Sequence, residues 1–361
     1  MSADQMISCD IFCAVIDNLG DSGVCWRLAR QLATEHGWQV RLWIDDPAPL
    51  DLLAPDHARL PVEIRAWAGD FATVTPARIV IEAFACELPA AYLATMATQA
   101  HPPVWINLEY LSAEDWVAGC HGLPSPHPQL PLPKYFFFPG FTSGTGGLLR
   151  ERNFAVPHAG HFIPPAPTFG ASLNVSLFCY DNPALPDLLD SWRDGKQPIN
   201  CQVAAGLPQR QVEAWLKQAF PTGSAIRHGQ LTLHALPFLP QTDYDDLLAR
   251  CQLNFVRGED SLVRALWAER PFVWQAYPQA ENAHHAKLSA LLELLSADEP
   301  LKNLCWAWNT AGAIASAWPP LLAALPRLAE QAPQQARKIA APGDLAGNLA
   351  KFCNEICAAR L

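Results

Sequence analysis

Two short acidic stretches, each placed where a strand runs into a helix, are the parts of this chain best suited to chemistry. One is Arg257-Gly258-Glu259-Asp260-Ser261, after an apolar run ending at Val256; the other is Asp17-Asn18-Leu19-Gly20-Asp21, after a run from Cys9 to Ile16. In the first of these, Leu262, Val263, Leu266 and Trp267 then recur at helical spacing, which predicts strand, tight loop and helix start. The N–H groups and positive dipole end of such a helix form an anion site. Arg257 adds a delocalised charge suited to a phosphate pair, and Gly258 lets the backbone come close. Glu259 and Asp260 beside a pyrophosphate are unfavourable unless they face sugar hydroxyls or a cationic acceptor, so the mixture suggests a nucleotide sugar more than a plain phosphate. The residues alone also allow a blander reading, in which Asp260 and Ser261 cap a helix and Glu259 favours its dipole.

The second stretch repeats this logic, with a strand to Ile16 and an amphipathic helix from about Gly23. In doubly wound α/β domains ligands bind at the carboxyl edge of the sheet, which makes Asp17 and Asp21 candidates. Asp-Asn and Gly-Asp-Ser are also ordinary turn and cap residues, with Asn18 able to take a positive φ. The glycines do not fit G-x-G-x-x-G, so no dinucleotide fingerprint is present.

The elements that must hold these corners alternate along the chain. Strands are expected at Gln39–Ile44, Val62–Trp67, Ile79–Ala83 and Val104–Leu108, with a helix over Ala90–Thr98. From His121 to Gly147 a Pro- and Gly-rich loop is broken by one buried strand, Tyr135 to Phe138. Its run Thr142 to Gly147 lacks the P-loop lysine and is read as a mobile loop at the domain cleft. The second half restarts: strand Asn174–Cys179, helix Ala184–Arg193, strand Ile199–Ala204, helix Arg210–Phe220, extended Leu231–Leu239, helix Tyr244–Arg250. Strand-helix alternation of this kind predicts parallel sheets with covered faces. The expected domains are 1–155, a linker 156–171, 172–340, and a C-terminal helix over 341–361 that packs back on the first domain.

Composition agrees with two cores: 361 residues, half hydrophobic, 17% charged. A net charge of −10 argues against generic binding to nucleic acid or to an anionic membrane. It would suit a cationic patch on a protein partner, or simply serve solubility. The 11 cysteines are scattered and form no C-x-x-C pair, so they read as small buried hydrophobes in a reducing compartment. The N-terminal residues carry no secretion pattern, and the cytoplasm is the expected location. Lys302 to Arg327 contains no other charge, yet Pro319-Pro320 and several polar residues interrupt it, which predicts a helix pair around a Pro-Pro break and no membrane span. No D-x-D motif is placed to hold a metal, and His284 and His285 are expected to be exposed or to make a single contact.

Two Rossmann-like halves without the glycine fingerprint resemble the GT-B glycosyltransferase architecture, two domains facing across a cleft. A closer resemblance lies in particular segments: Asp17 to Asp21 with Trp26-Arg27-Leu28-Ala29-Arg30, Asn107 to Trp116, Pro139-Gly140-Phe141 before Gly146-Gly147, and Arg257 to Ser261 before Tyr277-Pro278-Gln279. Together they are similar to EarP, the family that rhamnosylates an arginine of bacterial elongation factor P; Ala280 is a looser match. The resemblance implies an inverting, metal-independent GT-B enzyme without a cofactor, whose donor is dTDP-β-L-rhamnose and whose partner is elongation factor P. It implies that Asn18, Leu19 and Gly20 face the sugar and acceptor, with Asp21 as proton acceptor and Asp17 beside it. Phe178, Tyr180, Gln241 and the loop Arg257, Gly258, Asp260 and Ser261 would contact the donor, and Glu259 would be a second essential carboxylate. Two other readings compete: another GT-B enzyme, such as a small-acceptor transferase or a sugar-nucleotide epimerase, and a non-catalytic nucleotide-sugar-binding module. Three acids around an anionic ligand speak against the last.

Overall fold

Along the first strand, β1 (Ser8–Cys13), side chains alternate between two buried surfaces: Cys9, Ile11 and Cys13 enter one core cluster and Phe12 the other. A strand covered on both faces belongs to the interior of a layered α/β sheet. The computed structural model describes residues 6–16, 19–152, 154 and 172–360. The chain divides into two compact units, 1–156 with 339–361, and 157–338.

In the first unit, β1 leads through α1 (Gly20–His36) to β2 (Gln39–Ile44), α2 (Ala48–Leu53) and β3 (Val62–Ala66). After these come β4 (Ile79–Ala83), α3 (Ala90–Thr98), β5 (Val104–Leu108), α4 (Trp116–Cys120), β6 (Pro124–Pro126) and β7 (Pro133–Phe137). The sheet order is β3-β2-β1-β4-β5-β7-β6, parallel except for β6. Order reverses between β1 and β4, which makes their carboxyl ends a switch point. Asp10, fully buried on β1, fastens the far face. It accepts hydrogen bonds from Arg41 Nε and Nη2 (both 2.6 Å), Trp43 Nε1 and the Ala77 amide (both 2.9 Å) and the Tyr92 hydroxyl.

The second unit runs β8 (Leu173–Leu177), α5 (Leu185–Asp194), β9 (Ile199–Val203), α6 (Leu207–Leu216), β10 (Ala225–His228) and β11 (Leu231–Ala235). It continues with α7 (Gln241–Arg250), β12 (Leu253–Arg257), α8 (Gly258–Trp267), β13 (Phe272–Gln275), α9 (His284–Leu294), α10 (Glu299–Thr310) and α11 (Ile314–Ala340). Its sheet order is β10-β11-β9-β8-β12-β13, antiparallel only at β10, with the switch point between β8 and β12. The last helix, α12 (Leu345–Ala359), belongs to the first unit. Gln31 Nε2 donates to Asp344 Oδ1 (2.9 Å) and Asn348 Nδ2 to the Gly146 carbonyl (3.1 Å), while Leu349, Ala350 and Cys353 join the core beneath α1.

Several expectations need correction. β1 stops at Cys13, leaving Ile16 71% exposed, and α1 begins at Gly20 instead of Gly23. The strand at 133–137 is half-buried over most of its length because its outer neighbour, β6, is a short edge strand that the proline content concealed. The Thr142–Gly147 run is exposed over Thr142, Ser143 and Gly144 but packed over Thr145, Gly146 and Gly147. Gly146 N donates to Phe138 O, Thr145 is buried, and a Cβ at Gly146 would run into the Phe137 ring. Pro319-Pro320 does not separate two helices. The break lies before Ile314, where Ala311 takes a φ of 52°, and α11 runs through its prolines because Trp318, Leu321, Leu325 and Leu328 bury one helical face. His284, expected to be exposed or to make a single contact, is buried and makes the contact, its Nδ1 accepting from the Gln279 amide at 3.2 Å. The linker 156–171 lies outside the described residues. All 11 cysteines are free thiols, and eight of them are buried.

Candidate functional site

Each sheet brings its chemistry to its own switch point. In the second unit, the backbone beyond β8 carries Phe178 and Tyr180, and β12 ends in Arg257 beside it. The Arg257 guanidinium lies 4.5 Å from the centre of the Phe178 ring and 4.3 Å from that of Tyr180. Such contacts hold a planar cation in place, and a guanidinium plane suits a phosphate pair. Tyr244 of α7 packs edge-on against Phe178 (5.6 Å) and Tyr277 edge-on against Tyr180 (5.3 Å), so each ring beside this arginine is backed by a second.

Helix α8 follows without any intervening loop, contrary to the expected turn. Gly258 is its first residue, with φ at 65°, a left-handed value that converts extended Arg257 directly into helix. The Gly258 carbonyl accepts from Trp274 Nε1 at 2.7 Å, which ties this turn to β13. Ser261 is buried in the first turns and Asp260 half-buried. Glu259 turns toward α9, where Lys287 Nζ stands 3.8 Å from its Oε1. Arg264, 1% exposed, makes a two-pronged ion pair with Asp245 (2.9 and 2.8 Å) and so locks α8 onto α7. Gln241 is the first residue of α7 and is buried.

Burial sets the electrostatics here. It pushes the Cys179 thiol up to about 12, with Arg257 opposing, so Cys179 is inert. Burial likewise raises the Tyr244 phenol, the Ser261 hydroxyl beside it opposing and the Asp260 charge adding to it. The site therefore offers an N–H-lined helix start, one oriented guanidinium and an aromatic enclosure, a set suited to a nucleoside diphosphate.

In the first unit, Asp21 lies in the first turn of α1 and is 4% exposed. Its Oδ2 accepts the Ile16 amide at 2.9 Å, which fixes the carboxylate over the end of β1. Leu19 and Gly20 open the helix, Leu19 O accepting from Gly23 N at 3.0 Å. Asp17 and Asn18 lie outside the described residues.

Other residues at these edges escaped the sequence reading. Gln275 closes β13 and its Oε1 accepts the Tyr180 amide at 2.9 Å; a lone glutamine ending an apolar run carries no signal. Glu109, just beyond β5, accepts from Asn107 Nδ2, and burial raises its carboxyl. Its place in the Asn107 to Trp116 segment was the available hint. Phe84 and Ala85, after β4, both hold left-handed φ values (57° and 54°), and Phe84 stacks on Tyr110 at 4.5 Å. Backbone held this way concentrates at binding edges. Among the described residues, no group of three or more His, Cys, Asp or Glu is arranged to hold a metal.

Comparison with known proteins points the same way. The chain is 45% identical to a protein-arginine rhamnosyltransferase of Pseudomonas aeruginosa over 96% of this chain and 99% of that one. It is 44% identical to one of Pseudomonas putida, over 95% and 97%. A solved EarP structure, described as the basis for EarP-mediated arginine glycosylation of elongation factor EF-P, superposes with a TM-score of 0.65 at 30% identity, over 97% and 99% of the two chains. The calicheamicin glycosyltransferase CalG4, at 14% identity and a TM-score of 0.54 over 98% and 99%, shares the GT-B fold alone. Residues 9–354 match the family described as Elongation-Factor P (EF-P) rhamnosyltransferase EarP, and the chain, a glycosyltransferase of GT-B fold, belongs to that family.

Proposed function

We propose that this enzyme moves L-rhamnose from dTDP-β-L-rhamnose to one arginine side chain of elongation factor P in the cytoplasm, inverting the anomeric centre and using no metal. The observation that carries the donor side is Arg257, flanked by Phe178 and Tyr180 at the start of α8. The N–H groups of that helix start and the Arg257 rim take the charge that grows on the departing dTDP, the role a divalent cation has in other transferases. Gln241, Gly258, Asp260 and Ser261 complete the donor contacts, and Glu259 is the second essential carboxylate.

The acceptor side belongs to the first unit. A guanidinium is protonated at physiological pH and its lone pairs are delocalised, so it attacks only once polarised and relieved of a proton. Asp17 and Asp21 hold it, with Asn18, Leu19 and Gly20 shaping the loop. One arginine nitrogen then forms the bond to the anomeric carbon while the carbon–oxygen bond to the diphosphate breaks, its electron pair leaving with dTDP. The nitrogen's proton passes to Asp21, and the rhamnosylated guanidinium retains the positive charge. General-base help of this kind is worth roughly 10² to 10⁴-fold, and inversion requires the base to lie across the sugar from the leaving group.

The test is to incubate the enzyme with elongation factor P and dTDP-rhamnose in excess EDTA. The expected result is a gain of one deoxyhexosyl residue in mass, localised to an arginine, with equimolar release of dTDP. An unmodified acceptor beside an enzyme that still binds dTDP would turn the reading toward a different acceptor.

A further inference from the structure

The start of α8 contains an electrostatic conflict. A diphosphate there would lie beside Glu259 and Asp260, both in the first turn and both half-buried. Like charges at such distances, only partly screened, oppose binding. Arg257, one residue before this helix, is flanked by the Phe178 and Tyr180 rings. A different cation faces Glu259: Lys287 Nζ is 3.8 Å from its Oε1, and each of the two side chains is 24% exposed. Lys287 comes from α9, whose packed face carries Leu288, Leu291 and Leu292, so the lysine is presented by a helix anchored in the core. At 24% exposure the pair is less screened than one in open water and keeps part of its attraction.

We propose that Lys287 is a positioning residue for the donor site: paired with Glu259, it cancels that carboxylate's charge toward the diphosphate and holds its side chain in one orientation. This rests on the donor reading above and extends it, because it explains how an acidic helix start accepts an anionic ligand. Its consequence is conditional. Lys287 matters for donor binding only while Glu259 carries its charge.

The experiment measures dTDP binding by calorimetry, at low and high salt, for wild type, Lys287→Met, Lys287→Arg, Glu259→Gln and the Lys287→Met/Glu259→Gln double variant, with circular dichroism to confirm folding. Lys287→Met should weaken dTDP about three- to fivefold at low salt, the upper range for partly exposed charge pairs, and Lys287→Arg should restore most of it. At 1 M salt, where the Debye length is about 3 Å, the loss should shrink. In the Glu259→Gln background the same substitution should change affinity less than about twofold, since coupled residues are not additive. An equal loss in both backgrounds would mean that Lys287 meets the ligand directly or merely supports the fold, and would overturn the proposal. So would a Lys287→Met enzyme indistinguishable from wild type. A wild-type enzyme with no affinity for dTDP would instead sink the donor reading, and this proposal with it.

Discussion

The Arg257 guanidinium sits 4.3 Å from the centre of the Tyr180 ring and 4.5 Å from that of Phe178. Because the Tyr180 backbone N–H donates to Gln275 Oε1, the surroundings of the arginine are built from three elements: the segment after β8, the end of β12 and the end of β13. An ammonium cannot be oriented in this manner.

Arg257→Ala should therefore weaken dTDP and dTDP-rhamnose alike, by about 10- to 100-fold, the scale of a charge-assisted contact. Arg257→Lys should recover only part of that loss. Calorimetry on both ligands checks it; dTDP affinity unchanged in the alanine variant would remove Arg257 from the diphosphate.

Binding of dTDP-rhamnose should survive excess EDTA, and added Mg²⁺ should not strengthen it beyond its effect as salt. Titration with and without chelator decides the matter. Loss of binding on chelation would contradict the account based on the α8 helix start.

Asp21→Asn keeps the oxygen that accepts the Ile16 amide but removes the basic lone pair and the charge. Donor affinity should stay near wild type while single-turnover transfer falls by at least about 10². Glu259→Gln should also slow transfer, but with a measurable change in dTDP-rhamnose affinity, since its contacts belong to the ground-state complex. Near wild-type transfer by Asp21→Asn would move the base to Asp17.

The Asp10 network predicts a loss of stability without a loss of donor binding. Asp10→Ala strands Arg41, Trp43 Nε1 and the Tyr92 hydroxyl around an empty buried position, and breaking such a pair costs about 3–5 kcal/mol. Tyr92→Phe removes one donor and should cost only about 0.5–1.5 kcal/mol. Urea denaturation measures both, and equal effects would show that the carboxylate is not the centre of the network.

Acid sensitivity should come in part from His121, whose pKa burial holds below the ordinary 6.5. Its Nδ1 accepts the Phe138 amide at 3.1 Å and its ring lies 4.6 Å from that of Phe137, so the fold favours the neutral form. The unfolded chain takes up the proton first as pH falls below 6.5, and this contribution to stability is present above that value and lost progressively beneath it. His121→Gln should flatten the stability profile between pH 6.5 and the native pKa in denaturation series. An unaltered slope would assign the sensitivity to other groups.

Much of this protein was legible before any coordinates. The strands Gln39–Ile44, Ile79–Ala83 and Val104–Leu108 and the helix Ala90–Thr98 match at both ends, because each is a short apolar pattern with a polar or Pro residue against at least one end. The long segments from Asp17 to Arg30 and from Arg257 to Gln279 carried the family, since a ligand-binding corner restricts residue type at many successive positions. Tertiary structure alone decided the rest. Gly258 opens a helix and not a loop because its φ is set by the junction of β12 with α8. Pro319 and Pro320 stay helical because burial of one face outweighs the lost backbone bonds. Tyr180, Arg257 and Gln275 meet because strand order brings β8, β12 and β13 side by side, and Lys287 of α9 reaches Glu259 at the start of α8. Such partners are distant in the chain, and spacing within one segment carries no record of the packing that joins them.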